Sequence, residues 1–148
     1  MSIIAGDRTV EIDAPIEHCY QLVADVERLP EWNSSITRVQ VLERDAEGRA
    51  LLVESEADVK VKTARAVMRY SYDEPRKVSW VQEKGDAKSF TGSWTFTDLG
   101  SGRTRATYEL SSDPGRVLGL LLRGPVETKV KEFMIDTGAT GLKAAAER

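Results

Sequence analysis

Two arginines, Arg65 and Arg69, lie in the run KTARAVMRYSYD. An arginine turned into an enclosed site would stabilise negative charge that develops on oxygen, as in an enolate. Strand alternation argues against that placement. It puts Ala64, Ala66, Met68, Tyr70 and Tyr72 on one face and Arg65, Val67, Arg69 and Ser71 on the other. The arginines therefore point to solvent, unless a one-residue bulge reverses the register. His18 and Cys19 are adjacent, and neighbours on a helix point apart, so they do not form a nucleophile–base pair. His18 reads as exposed and Cys19 as a small core residue. A single His and a single Cys do not make a structural zinc site, and Asp25, Glu27 and Glu31 lack the spacing of a calcium loop. No metal and no cofactor is expected. Gly100-Ser101-Gly102 reads as a hairpin turn rather than a phosphate cradle, because no helix follows it.

The aromatic residues carry the stronger signal. Tyr70, Tyr72, Trp80, Trp94, Phe96 and Tyr108 recur at strand spacing on the apolar faces. Such a surface stacks against a planar or greasy ligand, and tyrosine hydroxyls orient one polar group. It equally builds a plain core, although several buried hydroxyls then need partners. Met68, Phe133 and Met134 face the same space, as adaptable filler or as lining. Trp32 follows a helix break at Leu29-Pro30 and either pins that corner or stands at the entrance of a cavity. The expected ligand-binding set is Trp32, Met68, Tyr70, Tyr72, Trp80, Trp94, Phe96, Tyr108, Phe133 and Met134.

These residues need a sheet and a cover. Val10 and Ile12 alternate with polar residues, as in a strand with one buried face. Asp13 then stands as an N-cap before Pro15, and Ile16, Cys19, Tyr20 and Val23 repeat at helical spacing. Asp25 caps a second short helix through Val26 and Leu29. From Ile36 to Leu110 about six apolar-alternating runs are separated by polar turns, which predicts an antiparallel meander. From Pro125, helical spacing resumes through Val126, Val130, Phe133, Met134 and Thr137 and runs on to Leu142 and Ala145. Gly138 and Gly141 weaken that helix by about 1 kcal/mol each relative to alanine, and each lets a backbone or ligand come close. RVLGLLLRGP reads as a short connecting helix on the sheet rim; its leucines, flanked by Arg116 and Arg123, otherwise suit a membrane or partner contact. The class is α+β: a sheet that curls around the C-terminal helix.

The bulk composition fits one domain over residues 1–148, with 41% hydrophobic and 30% charged residues. The net charge of −3 and the scatter of Arg and Lys among acidic residues speak against nucleic-acid binding. No apolar run has the length of a membrane span, so stable membrane insertion is not expected. The opening MSIIAGDRTVEID lacks the pattern of a secretion signal, which makes the cytoplasm the default location. The oligomeric state is left open.

The stretches VEIDAPIE, VADVERLPEW, RYSYDEPRKVSW, GSWTFTDLGSGRTRATYEL and the final GLK resemble the polyketide cyclase/dehydrase family of the START-like (SRPBCC) superfamily. The resemblance spans nearly the whole chain. It implies a helix-grip fold: a seven-stranded curved antiparallel sheet around a long C-terminal helix, with two short helices between the first two strands and an apolar cavity inside. Such families include aromatase/cyclases, lipid and sterol carriers and coenzyme Q-binding proteins, so the fold alone does not choose a function. The expectation is a domain that binds a hydrophobic small molecule, a lipid, quinone or polyketide-like compound. The alternatives are a polyketide aromatase/cyclase or dehydrase, and an interaction domain with a filled core.

Overall fold

The computed structural model describes residues 3–60 and 62–148. Strand β1 (Ile4–Ile12) leads into α1 (Ile16–Ala24) and a 3-10 helix (Val26–Glu31). Six strands follow: β2 (Ile36–Arg44), β3 (Ala50–Asp58), β4 (Thr63–Asp73), β5 (Lys77–Gly85), β6 (Ser89–Gly100) and β7 (Arg103–Asp113). Helix α2 (Gly115–Leu121) and the long α3 (Pro125–Ala146) end the chain. The strands form one antiparallel sheet in the order β1-β7-β6-β5-β4-β3-β2. Strands β2 to β7 are a plain meander. Only β1 is out of sequence, at the far edge beside β7, so α1 and the 3-10 helix must carry the chain across the whole sheet. The arrangement is the helix grip implied by the resemblance.

Local chemistry explains the crossing. Ile16, Cys19, Tyr20 and Val23 are the buried face of α1. The expected N-cap at Asp13 is not formed. Pro15 takes the cap position with an extended backbone, and the Asp13 amide instead donates to Glu147 Oε2 at 2.9 Å. The helix start is thus tied to the end of α3. Asp25 does stand at the cap of the 3-10 helix, without a side-chain capping bond. The turn closes when Trp32 and Asn33 both donate their amides to the Leu29 carbonyl, at 3.2 and 2.9 Å. Asn33 Oδ1 then accepts from the Ser35 amide and hydroxyl, at 3.1 and 2.7 Å, an Asx turn that launches β2.

Helix α3 packs on β1, β7 and α1. Its buried residues are Val130, Ile135, Gly138, Ala139, Leu142 and Ala146. The stripe is therefore rotated from the expected one: Phe133, Met134 and Thr137 are only half-buried, and Val126 is exposed. Small residues cause the rotation, because they let the helix axis sit closest to the sheet. A Cβ on Gly138 would stand 2.9 Å from Tyr108 Cδ2. A Cβ on Gly141 would overlap the Trp32 carbonyl oxygen and stand 3.1 Å from its carbon.

Candidate functional site

The inward face of the sheet is an aromatic wall. Register pairs Tyr70 with Trp80 across β4 and β5, and Trp94 with Tyr108 across β6 and β7. Gly92 lies opposite Trp80 and has no side chain, so the Trp80 indole lies over it; a Cβ there would come within 2.5 Å of Trp80 Cζ2. The rings form a chain. Trp94 stacks on Tyr108 at 4.5 Å and 15°, Tyr108 meets Trp80 at 6.3 Å, Trp80 meets Tyr70 at 5.5 Å, and Trp32 stands edge-on to Trp94 at 6.3 Å. Each such pair contributes about 0.5–1.5 kcal/mol beyond its buried area. The wall is therefore stiff.

Above this wall the space is not filled. An outer lobe of about 100 Å³ lies under α2, between the ends of β1, β3, β4 and β7 and the start of α3. An inner lobe of about 60 Å³ lies against the aromatic wall and the 3-10 corner. Ser55, Ala57, Met68, Phe90, Leu110 and Met134 line both lobes, so the two are one cavity with a waist. For scale, a cavity of about 150 Å³ holds a benzene molecule. A longer ligand needs the waist to open, and the two methionines there are the side chains best able to move.

Trp32, Met68, Tyr70, Trp80, Trp94, Tyr108 and Met134 all line this cavity. Three of the expected residues do not. The Tyr72 ring lies beyond the inner lobe under the Arg49 guanidinium, 4.9 Å away, and its hydroxyl donates to the Ala50 carbonyl. Phe96 is packed between Trp94 and the edge of Tyr20. Phe133 is half-buried on α3, with Lys60 Nζ of the β3–β4 connection 3.8 Å above its ring. Other lining residues went unrecognised. Asn33 and Ser35 belong to a turn that reads only as a stop signal, and Ser55 and Ala57 are too small to register as recognition residues. Leu118 and Leu122 roof the outer lobe, while Val117, Leu120 and Leu121 of the same segment face solvent.

The electrostatics are as informative as the shape. The inner lobe is lined by no Asp, Glu, His, Lys or Arg among the described residues. Arg69 forms an ion pair with Glu83 on the outer face of the sheet. The bulge in this region falls on β5, where Glu83 is the unmatched residue, so β4 keeps its alternation. Arg65 reaches only the rim of the outer lobe and pairs with Glu56 at 3.2 Å, with its side chain largely in solvent.

The remaining titratable groups are tyrosines. Burial pushes Tyr70, Tyr72 and Tyr108 well above the ordinary phenol value of about 10, and Asn33 offsets part of the effect at Tyr108. Burial also raises Tyr20, with the Glu74 charge adding to it. These are all four tyrosines of the chain. A raised folded-state value favours the protonated fold, so this stability is fully present below pH 10 and is lost as pH rises through the folded values. An absorbance titration at 295 nm should therefore show no tyrosinate step near pH 10. All four should ionise together with alkaline unfolding. An early step in the still-folded protein would contradict the buried placement.

Residues 12–137 match the family described as polyketide cyclase / dehydrase and lipid transport. The chain belongs to this family. Among solved structures, a START superfamily protein from Mycobacterium smegmatis is 21% identical, with 97% of each chain covered and a TM-score of 0.83. The Zhui aromatase/cyclase from Streptomyces sp. R1128 is 19% identical over 99% of this chain and 95% of its own, also at 0.83. At these identities the likeness establishes the fold alone. No curated protein matches the sequence. Among the described residues, no helix is long and apolar enough to cross a membrane.

Proposed function

We propose that this family member binds a hydrophobic small molecule, a lipid, quinone or polyketide-like compound, in the two-lobed cavity. The observation that carries the reading is an apolar interior with a stiff aromatic wall and no carboxylate, imidazole or guanidinium in its inner lobe. Binding needs only shape and apolar area, which contributes about 25 cal/mol per Å² before the costs of association. Proton-transfer catalysis needs a group whose pKa lies near the working pH. The tyrosines are displaced away from that range, and Arg69 is held outside by Glu83. Native mass spectrometry of gently purified protein, with the denatured extract in parallel, tests the proposal. A stoichiometric apolar molecule is the expected result. A clean apo mass across several preparations, together with no uptake of added alkyl ketones or quinones, would overturn it.

A further inference from the structure

The inner end of the cavity is apolar in its walls but not at its tip. Trp32 lines the inner lobe, and its indole N–H is buried with no hydrogen-bond partner among the described residues. Native proteins seldom leave a buried donor unmatched. The Cε3 edge of the indole faces α3, 3.5 Å from where a Gly141 Cβ would stand. The N–H is on the opposite edge of the ring and so is turned away from that helix. Asn33, the next residue, also lines the lobe. Its Oδ1 is already taken by two bonds from Ser35, and its side chain also reaches the Tyr108 hydroxyl, so Asn33 is engaged and the Trp32 N–H is the unmatched group. Tyr70 and Tyr108 line the same space. An indole N–H can only donate, so the tip asks for an acceptor. It holds no cation to balance a buried carboxylate or phosphate, and burying an unpaired anion is strongly unfavourable.

We propose that this tip receives a neutral carbonyl oxygen. The ligand is then a ketone, quinone or ester that enters carbonyl first, with the Trp32 N–H as its anchor and its hydrocarbon tail running past Met68 and Met134 toward the outer lobe under α2. The inference rests on the cavity-binding reading above and narrows the ligand class.

The test is a cycle of two ligands and two proteins. The ligands are 2-octanone and its hydrocarbon isostere 2-methyl-1-octene, which replaces the carbonyl oxygen by CH₂. The proteins are the wild type and Trp32→Phe, which keeps an aromatic ring and removes the donor. Titration calorimetry should show the ketone losing about 5–10-fold in affinity in Trp32→Phe, the worth of one hydrogen bond, with the alkene within about twofold of wild type. Any general change in packing affects both ligands and cancels in the cycle. Equal losses for both ligands would overturn the anchor and leave the cavity standing. Failure of both to bind the wild type would overturn the cavity reading and the anchor with it. A second measurement does not depend on the variant folding. The Trp32 indole ¹H–¹⁵N resonance of the wild type should move downfield with the ketone and not with the alkene; the same response to both would overturn the anchor.

Discussion

Gly141→Ala is expected to destabilise the protein by about 2–3 kcal/mol, although alanine is the better helix former by about 1 kcal/mol. The cause is a backbone contact. Gly141 lies in α3 against the Trp32 carbonyl, and a Cβ would overlap that oxygen and stand 3.1 Å from the carbonyl carbon. A side chain can rotate away from such a clash, but a carbonyl cannot do so without moving its chain. Here that chain is held by the Trp32 and Asn33 amides on Leu29 and by the Asx turn to Ser35. The helix must instead lift from the 3-10 corner, and Leu142 beside it is fully buried. The matched control is Gly119→Ala in α2, where the nearest atom to a new Cβ is Pro114 Cγ at 3.8 Å. There the helix propensity acts alone, and the variant should equal or exceed the wild type by up to about 1 kcal/mol. Denaturant melts of the two variants give the comparison directly. Equal stability of Gly141→Ala and wild type would remove the close approach from the account.

The same contact shows what was legible in the chain and what was not. The order of strand, two short helices, six strands and a long helix followed from periodicity, because strand and helix patterns depend on local alternation alone. So did the faces of β4, β6 and β7: Tyr70, Trp94 and Tyr108 point inward and Arg69 outward, as alternation requires. Alternation reports a face, however, and not a position along the strand. Tyr72 and Phe96 share the inward face with the lining residues, yet both lie beyond the end of the cavity, where α1 rather than α3 covers the sheet.

Helix α3 departs from its apolar spacing for a related reason. The spacing of the large apolar residues predicts the core stripe, but the closest packing belongs to Gly138 and Ala139, and this leaves Phe133 half-buried beneath Lys60. Hydrophobicity ranks residues by size, while close helix–sheet approach selects the smallest. The polar tip of the cavity was hidden in the same way. Asn33 and Ser35 build a turn and also line the cavity, and a turn signal does not distinguish the two uses.

Filling the waist should separate binding from folding. Ala57 lines both lobes on β3 and is half-buried, opposite Ala64 on β4. A phenyl group there is comparable to the benzene that a cavity of about 150 Å³ accepts, and the lobes together offer little more than that, about 100 and 60 Å³. Ala57→Phe should therefore weaken ligand binding about 50-fold or more, since it removes the apolar area on which affinity depends. Its stability should stay within about 1 kcal/mol of wild type, or rise, because the new ring occupies an existing void rather than displacing packed neighbours. Ala57→Leu should fall between the two in affinity. Thermal melts and calorimetric titration with 2-octanone read the two quantities on the same samples. If the folded Ala57→Phe variant binds as the wild type does, the ligand sits elsewhere and the cavity is not the site. If it is strongly destabilised, the waist is already packed and the void cannot admit a ligand by repacking Met68 and Met134. Loss of affinity at constant or greater stability is the outcome that only an open cavity produces, because a packing defect gains from being filled and has no binding to lose.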